Sequence, residues 1–312
     1  MEPSSDNSTP PWAGLPAAWT VACRDEHLKQ IGCPNTWSAL EWIGVRGIEI
    51  AVDVEGCCPH LFGGADYSLA TADGVARLEQ TLREHDVVIT ALCLLNEFDN
   101  RPDQEVDFVG RMVDVAVRLG IPSIRLDFLP RRLKERYDEF LALSIDVGRR
   151  FVARTDDAPV RFGVENHVTT TNRIDFLRSL FAGVESPKFG LTLDTANFYW
   201  FGHPLSKLYE IYAEFASCAC HTHCKNIGYP EAQRERQRPM GWEYARYACP
   251  VDRGDIDFCR VAAILRDAGY RGDLCIENES LGRLSPDQRR ETLTREASFL
   301  RRIVAETVGS TP

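Results

Sequence analysis

Residues 218–226 read CACHTHCKN, and the conformation of this stretch decides how the rest of the chain is read. Three cysteines and two histidines fall within positions 218–224, a density that suggests a metal site. A zinc cluster drawing on both residue types would need them on one side. In a strand, successive side chains point to opposite faces. Read as a strand over 217–223, the stretch puts Cys218, Cys220 and Thr222 on one face. Ala219, His221 and His223 lie on the other, and Lys225 continues the histidine face. The cysteines then pack against flanking helices, and His223 ends the strand on its inner face.

Working outward, seven further short apolar runs have the same character: 19–25, 47–53, 86–95, 122–128, 160–166, 189–195 and 272–278. Helical patterns lie between them. In 105–120 the residues Val106, Val109, Met112, Val113, Ala116 and Val117 recur at helical spacing. In 257–269 Phe258, Val261, Ala262, Ile264 and Leu265 form a stripe that Gly269 stops. Eight strand–helix alternations over about 280 residues are the arithmetic of a single (β/α)8 barrel. No glycine-rich GxGxxG follows the first strand, which disfavours a doubly wound open sheet. The connection 226–255 after the seventh strand is long enough to predict a functional loop or lid.

A barrel places chemistry at the C-terminal ends of its strands. The parity argument puts Glu165, Asp194, His223 and Glu277 at that point in the fifth to eighth strands. The spacings 194 − 165 = 29 and 223 − 194 = 29 each equal about one βα unit, so neighbouring ends converge; 277 − 223 = 54 includes the long loop. Three carboxylates and an imidazole form a hard, oxygen-rich set that suits Mn²⁺, Mg²⁺ or Co²⁺ and also accepts Zn²⁺. Without a cation, three converging carboxylates would repel and move their pKa values upward. The alternative is four separate polar residues capping their strand ends.

GVENH (163–167), LDTANF (193–198), HTHCKN (221–226) and the ordered pair GDIDF and GYRGDLCIENES between 254 and 280 together resemble the xylose isomerase-like superfamily of sugar isomerases and epimerases. That superfamily shares its barrel with endonuclease IV. The resemblance covers most of the chain from the second strand onward. It implies that Glu165, Asp194, His223 and Glu277 hold a divalent metal, Mn²⁺ first. It also implies that Glu165 and Glu277 act as acid and base on either side of a substrate carbon. The expected reaction is isomerisation or epimerisation of a small sugar or sugar-derived carbonyl compound through a metal-stabilised enediolate. A lyase or dehydratase using the same enolate is the alternative, and a non-catalytic sugar-binding barrel is a third reading. Three positions depart from the ketose 3-epimerases of the family: Asn197 stands for a histidine, Tyr229 for an arginine and Thr171 for a glutamate. They count against a free-ketose 3-epimerase.

Other residues can face the substrate. His167, Asn197, Lys225, Trp242 and Arg125 are the candidate contacts, with Lys225 suited to an oxyanion or to an ion pair with a neighbouring acid. Arg125 and Asp127 also suit an interior ion pair, and Trp242 with Tyr244 an aromatic lid. His221, one layer below His223, reads as a buried hydrogen-bonded partner. Glu49 either binds substrate or anchors a loop.

The 312 residues carry a net charge of −10 with 44% hydrophobic content. The acidic balance does not suit nucleic acid or an anionic membrane as partner, and no apolar run of 18 residues spans a bilayer. MEPSSDNSTPPW lacks the basic start and apolar stretch of a signal peptide, so a cytoplasmic location is expected. The expected organisation is a disordered tail at 1–12, the barrel at 13–306 and a C-terminal tail at 307–312. Eleven cysteines, an odd number in a long chain, read as reduced, mostly buried thiols. Barrels of the resembled family often pair, which makes a homo-oligomer an expected assembly.

Overall fold

The computed structural model describes residues 19–64, 67–155 and 158–308; the expected N-terminal tail and residues 309–312 lie outside them. Eight strands alternate with eight long helices: β1 (Thr20–Arg24), α1 (Thr36–Ile43), β2 (Gly47–Val52), α2 (Ala72–His85), β3 (Val88–Leu94), α3 (Pro102–Leu119), β4 (Ser123–Leu126) and α4 (Tyr137–Ala153). The second half continues with β5 (Arg161–Glu165), α5 (Ile174–Val184), β6 (Phe189–Asp194), α6 (Leu205–Phe215), β7 (Ala219–Cys224), α7 (Phe258–Asp267), β8 (Asp273–Ile276) and α8 (Pro286–Val308). Each strand pairs in parallel with its sequence neighbours, and β1 pairs with β8, so the sheet closes into a (β/α)8 barrel. Helix α8 runs to Val308.

Alternation along the strands sorts the side chains into two layers. Ile48, Ile50, Ile124, Phe162, Val164, Leu191 and Leu193 are buried to 1% or less and belong to the apolar layer between sheet and helices. At roughly 25 cal/mol per Å² this layer supplies most of the driving force for closure. The barrel interior instead carries small and polar residues such as Ala51, Ala91, Cys93, Gly163, Thr192 and Cys275. Gly163 shows why size matters there. A Cβ at this position would lie 2.3 Å from Thr192 Oγ1, whose hydroxyl donates to the Gly163 carbonyl at 3.1 Å.

Helix α3 follows its sequence signals, with Pro102 in the first turn and Gly120 left-handed at the C-cap. One stripe residue departs from expectation. Val117 is 51% exposed beside the fully buried Ala116, and Phe108 is buried in full: Val117 sits one position off the buried face of the helix. The connection after β7 carries its own structure. Asn226–Ile227 pair antiparallel with Ala248–Cys249, and two one-turn helices, Glu231–Arg234 and Tyr244–Tyr247, lie between. All eleven cysteines are free thiols. No helix among the described residues is long and apolar enough to cross a membrane.

Candidate active site

The ends of β5, β6, β7 and β8 bring Glu165, Asp194, His223 and Glu277 together, all buried, with one potential ligand atom from each lying within 4.8 Å of the others. The two glutamates are held in matching ways. Glu165 Oε2 accepts from Arg125 Nε at 2.6 Å, while its Oε1 lies 3.4 Å from His223 Nδ1. Glu277 Oε1 pairs with Arg24, while its Oε2 lies 2.9 Å from His223 Nδ1. Each carboxylate is therefore fixed by an arginine on one oxygen and turns the other toward a shared centre.

Asp194 is fixed by the backbone. Its Oδ1 accepts from the amides of Ala196 and Asn197, both at 2.8 Å. The Asn166 amide side chain bridges to the Asp194 backbone at 2.8 and 3.0 Å. Oδ2 is left facing inward, with Lys225 Nζ 3.0 Å away. Asp194 Oδ2, His223 Nδ1 and Glu277 Oε2 are buried without a hydrogen bond of acceptable geometry. Three converging buried atoms whose hydrogen-bonding capacity is left unused, with Lys225 the cation beside two of them, can hold a metal, and with Glu165 they make the oxygen-rich set that hard divalent metals take.

The electrostatics separate the carboxylates. Burial alone would raise Glu165, but Arg125, His223 and His167 outweigh it and hold the carboxyl well below its usual range. Glu277 is likewise held low, against burial, by Arg24, Lys225 and His223. Asp194 goes the other way: burial and the charges of Glu277 and Glu165 push it up to about 7, despite Lys225. A low pKa keeps both flanking glutamates ionised.

The candidate contacts fall into three groups. Asn197 and Lys225 belong to the cluster: Asn197 Nδ2 donates to Glu165 Oε1 at 3.1 Å, and Lys225 spans Asp194, Glu277 at 3.2 Å and Glu279 at 2.7 Å. His167 stands at the rim, its Nδ1 3.2 Å from Asp127 Oδ1, with its backbone tied to Thr171 in both directions at 2.8 Å. Arg125 braces the cluster and Trp242 packs in the inserted segment. The Arg125 guanidinium is taken up by Glu165 and, at 3.8 Å, by Asp127. Trp242 stacks on Tyr247 with ring centroids 5.7 Å apart and meets Tyr229 at 5.6 Å.

Several residues of the site have roles that the sequence pattern alone does not reveal. Arg24 ends β1 beside Glu49, its register partner in β2, and pairs with both Glu49 and Glu277. Its position at a strand end, equivalent to that of Glu165, was the available signal. Tyr244, rather than Trp242, links the inserted segment to the site: its hydroxyl donates to Glu279 at 2.8 Å. Of the three departures, Thr171 braces His167, and Tyr229 packs among Tyr199, Trp242 and Tyr247.

Residues 37–303 match the family model described as xylose isomerase-like TIM barrel. No curated protein sequence matches the chain. Among solved structures, the IolI protein with a binding zinc atom superimposes with a TM-score of 0.66 at 16% identity, over 92% of this chain and 99% of that one. A xylose isomerase-like TIM barrel protein from Mycobacterium smegmatis in complex with magnesium gives 0.64 at 14% identity, over 93% and 98%. D-allulose 3-epimerase from Methylomonas sp. in complex with D-allulose gives 0.64 at 15% identity, over 92% and 98%. At these identities the structural likeness speaks for the fold, and the family model spans most of the sequence: the chain belongs to the xylose isomerase-like TIM barrel family.

Proposed function

We propose that this protein is a divalent-metal-dependent isomerase or epimerase of a small sugar or sugar-derived carbonyl compound, with Mn²⁺ as its metal. The observation that carries the reading is the convergence of Glu165, Asp194, His223 and Glu277 at the barrel mouth, where Asp194 Oδ2, His223 Nδ1 and Glu277 Oε2 are buried without a hydrogen bond. Those four residues would hold the cation. A bound divalent cation supplies Lewis-acid polarisation of a carbonyl and its neighbouring hydroxyl.

The chain's own residues do the proton work. Glu165 and Glu277 both reach the site, 3.4 and 2.9 Å from His223 Nδ1; one carboxylate removes the proton next to the carbonyl and either returns one. Return to the opposite face gives an epimer; return to the neighbouring carbon gives the isomer. Arg125 and Arg24 keep each carboxylate in place through its outer oxygen. Lys225, beside Asp194 and Glu277, stabilises negative charge on a substrate oxygen. His167, held by Asp127, contacts a hydroxyl at the rim. The fit of four ligands, two of them glutamates, counts against the non-catalytic barrel.

The dehydratase reading draws on Thr171 and Tyr229. Both are turned to internal packing, so the site lacks two of the groups by which the family's ketose 3-epimerases hold a free ketose. Proton NMR in D₂O with Mn²⁺ and a panel of ketoses, keto-sugar derivatives and keto acids tests the proposal. Deuterium entering the carbon next to the carbonyl, with retention of all oxygens, is the expected result. Loss of water from the product would replace isomerase with dehydratase, and no exchange across the panel would overturn both.

A further inference from the structure

We infer that Glu49 and His221 form a buried anchor that holds His223 as its Nε2–H tautomer, so that Nδ1 is the nitrogen presented to the cation. The inference rests on the metal reading above and assigns two positioning residues to it.

Glu49 lies in the middle of β2 and is 1% exposed. Its Oε2 meets two imidazoles at once, His223 Nε2 at 2.6 Å and His221 Nε2. An ionised carboxylate only accepts hydrogen bonds, so both Nε2 atoms carry a proton. A neutral imidazole protonated at Nε2 has its lone pair at Nδ1. In His223 that Nδ1 is the buried atom without a hydrogen bond, facing Glu165 and Glu277. The opposite tautomer would set a lone pair against Glu49 and point a proton at the ligand cluster.

His221 explains why the carboxylate stays an acceptor. Its second nitrogen, Nδ1, lies 2.8 Å from Asp273 Oδ1, another acceptor, so His221 donates from both nitrogens and carries a positive charge. With His223 neutral, as a cation at Nδ1 would require, the order Asp273, His221, Glu49, His223 alternates anion, cation, anion and neutral ring. The two rings meet edge to face, with centroids 5.2 Å apart. Isolated, each of these charges would be costly at such burial; in alternation each has its partner. Arg24 adds a second cation, its Nε 3.0 Å from Glu49 Oε1. It also binds Glu277, so the same anchor reaches two of the four ligands. Partners of this kind typically change metal affinity 10- to 100-fold.

The test measures Mn²⁺ affinity and stoichiometry by competition with a fluorescent chelator, and the histidine tautomers by ¹⁵N NMR of the Zn²⁺-loaded protein. The wild type is expected to bind one cation with His223 protonated at Nε2. Glu49→Gln is expected to weaken Mn²⁺ roughly 10- to 100-fold. Should the single variant fold poorly, Glu49→Gln with His221→Gln removes anion and cation together, and the same loss is expected. Coordination of His223 through Nε2, a second cation on Glu49, or unchanged affinity and tautomer in the double variant would each overturn the inference. A wild type that binds no Mn²⁺ or Zn²⁺ would overturn the metal reading itself, and the inference with it.

Discussion

Glu165 and Glu277 show how a single atom is given a task. One oxygen of each meets an arginine and the other faces His223. Replacing either by Gln keeps size but removes the proton acceptor, so turnover should fall by about 10²- to 10⁴-fold while the circular-dichroism spectrum stays that of the wild type. Full deuterium exchange in both variants would rule out the two-carboxylate mechanism. Both glutamates were legible in the sequence because an acidic residue at the end of an apolar strand has few structural excuses. Glu49 was not. It sits mid-strand, and its partners lie 172 and 174 residues along the chain, a pairing that only closure of the barrel creates. Arg125 was legible as half of an interior ion pair, which it forms with Glu165 and Asp127, but an arginine in a strand does not reveal which acid it holds.

Among the elements, the strands could be read to within a few residues because each is a short apolar run between helical patterns. The stretch expected at 160–166 is β5 at Arg161–Glu165. The inserted segment could not be resolved, because a ladder of two residues on each side has no periodicity to detect. Its link to the site runs through Tyr244, Glu279 and Lys225. Tyr244→Phe removes a hydrogen bond worth about 1 kcal/mol, and KM should rise roughly fivefold with kcat nearly unchanged; steady-state kinetics decide it. A second element junction is pH-sensitive. His27, just after β1, accepts the Asn278 amide N–H at Nε2, 3.1 Å away, beyond the end of β8. Burial, with Arg24 and Lys225 nearby, lowers its pKa from 6.5 to about 3. Between those values the unfolded chain takes up a proton that the folded chain refuses, so this contribution to stability falls as pH drops from 6.5 toward 3. At pH 5 the deficit is roughly 2 kcal/mol. Urea unfolding of the metal-free protein at pH 5 and pH 7 should show it, and His27→Gln, which keeps an acceptor for Asn278, should lose that part of the difference.

At the scale of the whole molecule, the closed barrel turns a local binding event into a global one. The four proposed ligands come from β5, β6, β7 and the residue after β8, and none of them can be pulled together in an unfolded chain without closing loops of 29 to 54 residues. A cation that binds only the folded state stabilises it by RT ln(1 + [L]/Kd), about 2.7 kcal/mol at a hundredfold excess over Kd. With an unfolding entropy near 2.1 cal/mol/K per residue over a chain of this length, that amounts to a rise in Tm of about 4 °C. Asp194 should govern most of the effect near neutral pH. Its carboxyl, pushed up to about 7 by burial, is only half ionised there without a cation and must lose its proton to serve as a ligand, so Mn²⁺ binding should release protons and tighten as pH rises from 6 to 8. Asp194→Asn keeps the shape, and its side-chain oxygen can still accept from the amides of Ala196 and Asn197, but it removes the charge. The variant should fold, and should lose both the Mn²⁺-induced shift in Tm and the proton release measured by calorimetry in two buffers of different ionisation enthalpy. A variant that keeps both would move the cation away from Asp194.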